Sequence, residues 1–279
     1  MTEVSVQEGS WVDSLSKRTL RYRLWRPRGA QRLLVILHGF GEHGGRYQAV
    51  AAWLAEQGLG VAVPDLSGHG RSSGQRGDLD IPRCVESLIR LTSTVFMPET
   101  GSREYALFGH SFGGLVAIHW ALNGSPTPRR LVAQSPLLEV GFSIPGWKSL
   151  AARLLAGLWP TCSFSTGVDA AALSHDPAVV QAYQADPLVH HTMSARAYQS
   201  TVRTQDDAMA RAGTLRVPVL LLGGSKDRII SLEAVRRWCD RVLCEKRQVM
   251  FNGCYHELHH EPVRDEVLRL IREWVGSDG

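Results

Sequence analysis

Tyr105-Ala106-Leu107-Phe108-Gly109-His110-Ser111-Phe112-Gly113-Gly114 joins a short apolar run to a helix-forming segment through a turn crowded with glycine. The first four residues suit a buried strand, and the residues after Gly114 suit a helix to about residue 122. Between them stands Gly109-x-Ser111-x-Gly113, the pattern of a serine held on a sharp strand-to-helix turn. Flanking side chains would collide on such a turn, so the neighbours must be small. The helix N-terminus behind Ser111 favours negative charge developing at the serine. Ser111 is therefore the candidate nucleophile.

The same alternation extends on both sides. Residues 4–8 and 19–25 read as an antiparallel pair. Leu33-Leu34-Val35-Ile36-Leu37 and Gly60-Val61-Ala62-Val63 are continuous apolar runs that suit parallel strands covered on both faces. Helices are expected near 49–57 and 82–95, and a further strand at 131–134. Residues 139–201 show no strand-like run. The alternation resumes at 217–222, passes a helix near 232–242 and a strand at 247–251, and ends in a helix over 263–275. Repeated strand–helix units imply a mostly parallel sheet flanked by helices. The predicted organisation is an α/β core (1–138), an inserted helical cap (139–201) and the rest of the core (202–279).

Composition narrows the function. The chain has 279 residues, enough for one large α/β unit, with 44% hydrophobic and 21% charged residues. The net charge of +4 is spread without a basic arm, which speaks against nucleic acid as a partner. The five cysteines match no metal spacing and suit free thiols in a reducing compartment. Residues 1–12 carry acids and no apolar core, so no signal peptide is expected, and no run reaches the length of a membrane span. These features predict a cytoplasmic protein. Nothing in the sequence fixes an oligomeric state.

A serine hydroxyl needs a base within hydrogen-bond reach. A serine turn of this type takes its partners in the chain order Ser, acid, His. Among the eleven histidines, His256 lies on the loop after the last strand. Asp227 follows the preceding strand and would fix the imidazole tautomer. The alternative for a loop aspartate is a turn cap. His38-Gly39-Phe40-Gly41 ends an earlier strand. The backbone N–H groups of Phe40 and Phe112 are the candidate oxyanion donors. His38 is expected to be structural, bonded to backbone.

A second motif competes. His256-Glu257-Leu258-His259-His260 satisfies H-E-x-x-H, which would make His256 and His260 zinc ligands and Glu257 the base of a zinc hydrolase. That chemistry needs both histidines on one face of a helix. Gly253 and Pro262 bracket the motif, and Pro262 disfavours helix at Glu261. The metal-free reading is preferred.

Five stretches now carry a resemblance: His38-Gly39-Phe40-Gly41-Glu42-His43-Gly44-Gly45-Arg46-Tyr47, Asp65-Leu66-Ser67-Gly68-His69-Gly70-Arg71-Ser72, Gly109-His110-Ser111-Phe112-Gly113-Gly114, Ser135-Pro136-Leu137-Leu138, and Gly253-Cys254-Tyr255-His256-Glu257-Leu258-His259. The chain resembles the monoacylglycerol lipase and lysophospholipase branch of the α/β hydrolases. The resemblance implies the α/β-hydrolase fold, hydrolysis of a lipid ester with a small alcohol leaving, and no metal or organic cofactor. It places Glu42 and Arg46 near the alcohol-binding end of the pocket, with a structural ion pair as the alternative. Asp186-Pro187-Leu188 is the best match within the cap. A short-chain carboxylesterase or an S33-type aminopeptidase would use the same triad.

Trp147, Leu150, Leu154, Leu155, Leu158 and Trp159 fall at helical spacing in the cap, with Lys148 and Arg153 elsewhere. This stripe admits a lid helix packed on the core, or a lid whose apolar face also makes transient contact with a membrane surface.

Overall fold

Alternate side chains of one strand supply two separate cores. The computed structural model describes residues 3–143 and 146–277. Residues 1–2 of the first predicted segment, 144–145 of the cap and 278–279 of the last segment lie outside the described residues. In β3 (Arg32–Leu37), Leu33, Val35 and Leu37 face one apolar cluster while Leu34 and Ile36 face the other. A strand covered on both sides needs apolar residues at every position, which is why its sequence reads as an unbroken run.

The main sheet has the order β1-β2-β4-β3-β5-β6-β9-β10. Strands β1 (Val4–Val12) and β2 (Thr19–Pro27) pair antiparallel, as does β2 with β4 (Gly60–Pro64). From β4 onward every neighbour is parallel: β3, β5 (Glu104–His110), β6 (Leu131–Gln134), β9 (Val219–Gly224) and β10 (Lys246–Phe251). Helices α1 (Gln48–Glu56) and, near the C-terminus, Arg264–Gly276 contribute Leu54 and Ile271 to one face. Ile81–Leu91 (α2) contributes Leu88 to the other, where Leu115 and Trp238 join it. Because the strands are parallel, the loops after β3, β5, β6, β9 and β10 all emerge at one edge.

Three expectations change. The helix expected over 82–95 begins at Ile81 and runs on through a π-helical turn, Thr92–Phe96, and a last turn, Met97–Thr100 (α3). It stops at Gly101, whose φ of 68° lies in the left-handed region that glycine adopts freely. The insertion is not strand-free. Ser163–Ser165 (β7) and Thr192–Ser194 (β8) form an antiparallel ribbon, too short to register as an alternating pattern. Residue 201, the expected end of the cap, falls inside the continuous helix Ala195–Arg211.

Between Phe112–Asn123 (α4) and that helix, the insertion carries Gly146–Leu158 (α5) and Pro177–Ala185 (α6); Ala195–Arg211 is thus α7, Leu232–Arg241 α8 and Arg264–Gly276 α9. Helix α5 turns Trp147, Leu150, Leu154 and Leu158 outward and leaves Leu155 half-buried. Trp147 is 69% exposed, Leu150 and Leu154 60%, Leu158 86%. Its small Ala152 is buried instead, and Tyr198 of α7 donates a hydrogen bond from its hydroxyl to Ser149 Oγ at 2.9 Å. Apart from Leu155, the stripe therefore faces away from the core. No helix among the described residues is long and apolar enough to cross a membrane.

Candidate active site

Ser111 sits between β5 and α4 with φ 53° and ψ −116°, a conformation that costs energy in any residue but glycine. The neighbouring glycines make it possible. A Cβ on Gly109 would lie 2.2 Å from the Gly113 carbonyl oxygen, and a Cβ on Gly113 would lie 2.2 Å from that of Leu37. The turn is thus packed backbone on backbone. The Ser111 N–H donates to the Gln134 carbonyl at 3.0 Å, and the Ser111 carbonyl accepts from Leu137 N–H at 2.9 Å.

Asp227 and His256 meet. His256 Nδ1 lies 2.7 Å from Asp227 Oδ2, and both side chains are buried. Asp227 Oδ1 accepts from the backbone N–H of Ile229 at 2.9 Å and of Ile230 at 3.2 Å. Burial favours the neutral acid, but the His256 ring and these amides hold the Asp227 carboxyl below the usual carboxylate range. Burial likewise disfavours the charged imidazole. The adjoining Asp227 carboxylate outweighs it and raises His256 above its ordinary value of 6.5. The two side chains thereby favour an ionised carboxylate beside a basic ring.

The His256 ring packs on that of His110, centroids 4.7 Å apart. His110 immediately precedes Ser111, so the imidazole stands beside the serine turn. No hydrogen bond joins the Ser111 hydroxyl to the His256 ring among the described residues, and the ring's hydrogen-bonding partner is Asp227. Burial, and then the neighbouring His256, pushes His110 down to about 3, so this second ring stays neutral.

Phe40 and Phe112 lie together, ring centroids 5.2 Å apart. Phe112 is the first residue of α4, so its N–H has no acceptor within the helix. The loop carrying Phe40 is held by side-chain hydrogen bonds. His38 accepts from Leu66 N–H through Nε2 at 2.9 Å and its Nδ1 lies 2.7 Å from the Gly39 carbonyl oxygen, the structural role its position suggested. Glu42 Oε1 accepts from Gly39 N–H at 2.5 Å and from the Tyr47 hydroxyl at 2.8 Å.

Glu42 and Arg46 form an ion pair. Arg46 donates to Glu42 Oε2, and forks onto Glu257 Oε1 and Oε2 at 2.6 and 2.8 Å. The partner Glu257 was not legible in the sequence, since it lies 211 positions away. This pairing also bears on the H-E-x-x-H motif. Its second half is a 3₁₀ turn, Leu258–His260, not an α-helix. His256 is engaged by Asp227, and Glu257 is spoken for by Arg46. Glu257, His259 and His260 do bring potential ligand atoms within 4.8 Å of one another. A guanidinium forked onto the central carboxylate opposes a cation there.

The insertion grips the loop after β3 at three points. His43 Nε2 lies 2.8 Å from Asp186 Oδ2, His190 N–H donates to the Gly41 carbonyl at 2.8 Å, and Arg46 lies 4.8 Å from the centroid of the Tyr183 ring.

Known proteins share this architecture. A profile of the family described as serine aminopeptidase, S33 matches residues 28–263. Over 260 residues the chain is 32% identical to the monoacylglycerol lipase of Mycolicibacterium smegmatis, covering 92% of each protein. It is 34% identical over 263 residues to an uncharacterized abhydrolase domain-containing protein of Dictyostelium discoideum, covering 93% of this chain but 28% of that longer protein. The crystal structure of Paleococcus ferrophilus monoacylglycerol lipase superposes with a TM-score of 0.79 at 35% identity, over 87% of this chain and 93% of that one. The chain belongs to the serine aminopeptidase S33 family of α/β hydrolases and is an ester hydrolase of its monoacylglycerol lipase-like kind.

Proposed function

We propose that the protein hydrolyses monoacylglycerols or lysophospholipids through an acyl-enzyme on Ser111. His256 takes the hydroxyl proton as Ser111 Oγ attacks the ester carbonyl carbon. The amides of Phe40 and Phe112 hold the oxyanion. The imidazolium, stabilised by Asp227, gives the proton to the departing alcohol as the tetrahedral intermediate collapses. Water then attacks the acyl-enzyme with His256 as base, and the fatty acid leaves. The observation that carries this reading is the His256–Asp227 pair standing at the same sheet edge as a serine strained at φ 53°.

The substrate class rests on relatives whose names state monoacylglycerol lipase activity. The short-chain esterase, aminopeptidase and zinc readings are not favoured. A fluorophosphonate probe tests the nucleophile: it should label the wild-type protein and not Ser111→Ala. A panel of monoacylglycerols, lysolipids, nitrophenyl esters and aminoacyl anilides tests the substrate. Turnover confined to acetate esters or anilides would overturn the lipid reading.

The insertion acts in this reading as the cap over the acyl chain. The outward apolar face of α5 would rest on the lipid surface while substrate is drawn in. All five cysteines are free thiols, which supports a cytoplasmic setting.

A further inference from the structure

Three non-glycine residues among those described adopt positive φ: Lys17, Ser111 and Ser135. Lys17 lies in the exposed turn between β1 and β2. Ser111 and Ser135 are both buried, and each begins the loop at the end of its strand, β5 or β6. A left-handed conformation suits glycine better than serine, so serine persists there only where its side chain does something glycine would not.

The Ser135 hydroxyl donates to the His256 backbone carbonyl at 3.0 Å, across 121 positions of sequence. Ser135 is 1% exposed, and its φ of 45° turns the chain sharply as it leaves β6. Its own N–H donates to the Leu222 carbonyl of β9 at 2.8 Å, so the residue is anchored to the strand that leads to Asp227. The residue before it, Gln134, accepts the Ser111 N–H through its carbonyl, and Leu137 two residues on donates to the Ser111 carbonyl. Pro136 closes the turn against the elbow, where a Cβ on Gly114 would lie 2.9 Å from the proline Cα. One four-residue turn therefore holds the backbone of Ser111 on both sides and the backbone of His256 by a single side chain.

We propose that Ser135 is a positioning residue whose hydroxyl, by holding the His256 carbonyl, sets the approach of the base to the Ser111 hydroxyl. This rests on the reading of Ser111 and His256 as nucleophile and base. The hydroxyl touches no reacting atom; it fixes the loop that carries the ring. A loop free to shift lowers the fraction of complexes in which Nε2 can take the serine proton, which acts on kcat and leaves substrate binding alone.

Three substitutions in the full chain separate the hydroxyl from the backbone conformation. Ser135→Gly removes the hydroxyl and relieves the strain. Ser135→Ala removes the hydroxyl and keeps the strain. Ser135→Thr keeps the hydroxyl and adds a branch that positive φ tolerates poorly. Each is compared with wild type by kcat and KM on a nitrophenyl ester, by the rate of fluorophosphonate labelling, and by melting temperature. The expected result is a kcat about five- to tenfold lower in both Gly and Ala variants with KM within about twofold, while the Gly variant, free of the strain, melts higher than the Ala variant. The Thr variant should melt lower than wild type and yet recover most of kcat. Wild-type kcat in the Gly variant, or a kcat that tracks melting temperature across the three, overturns the inference. Ser111→Ala and His256→Ala are measured beside them. Turnover surviving in either would fail the underlying assignment, whereas two dead controls with an active Gly variant fail only the role of Ser135.

Discussion

Arg46 and Glu257 meet fork to fork, with N–O distances of 2.6 and 2.8 Å, so the loop after β3 holds the residue that follows His256. Glu257 is buried and Arg46 half-buried, and Glu42 shares the same guanidinium. Replacing Arg46 by Met strands two buried carboxylates and should destabilise the protein by about 3–5 kcal/mol, read as a lowered urea midpoint. Lys should recover little, since an ammonium cannot fork. Burial would raise the Glu257 carboxyl, but Arg46 and His260 hold it well below the usual range. A depressed carboxyl contributes stability above its unfolded value, near 4.5, and loses it as pH falls through the folded value. The gap between Arg46→Met and wild type should thus be widest near neutrality and narrow in acid. An equal gap at every pH would contradict the pairing.

With His256 as the proposed base, its ring sets the pH dependence of turnover. His256 must be neutral to accept a proton, and Asp227 raises it above 6.5 despite burial. The acid limb of kcat/KM should therefore lie above 6.5. Asp227→Asn removes the charge that stabilises the imidazolium. Its limb should move toward acid while kcat falls about 10³- to 10⁴-fold. A limb that stays in place would assign the titration to another group.

Gly113 has no room for a side chain. Its Cβ would lie 2.2 Å from the Leu37 carbonyl oxygen and 2.5 Å from that of His38. Gly113→Ala should cost about 1–3 kcal/mol or more in stability and displace the elbow, with fluorophosphonate labelling lost or slowed. Gly157→Ala, where nothing lies within 4 Å, is the control and should match wild type in labelling.

Helix α5 offers Leu150, Leu154 and Leu158 to solvent. Changing Leu150 and Leu154 together to Ser should weaken binding to phosphatidylcholine–phosphatidylglycerol vesicles by about tenfold or more, as apolar area is no longer withdrawn from water. Hydrolysis of a water-soluble ester should be unchanged. Vesicle binding equal to wild type would remove the membrane-facing role from this helix.

The sheet was legible because its central strands, buried on both faces, cannot hide their composition. The serine elbow was legible because its glycines are a local steric demand. The meeting of Asp227 with His256 was legible through chain order, each being tied to the end of a strand. Orientation was not legible. The stripe of α5 has helical spacing, but spacing does not say which face meets the protein, and here Ala152 and Ser149 do. The ribbon of β7 and β8 has only three residues a side, too few for a period. Ser135 and Glu257 owe their partners to contacts made across more than a hundred positions, and neither Ser-Pro-Leu nor H-E-x-x-H announces them.

The three ties from Tyr183, Asp186 and His190 to the segment that carries Phe40 mean that the insertion cannot be exchanged as an independent module. A chimaera that borrows another hydrolase's insertion would have to bring matching anchors, or it would loosen the loop that carries Phe40 along with the segment it set out to replace.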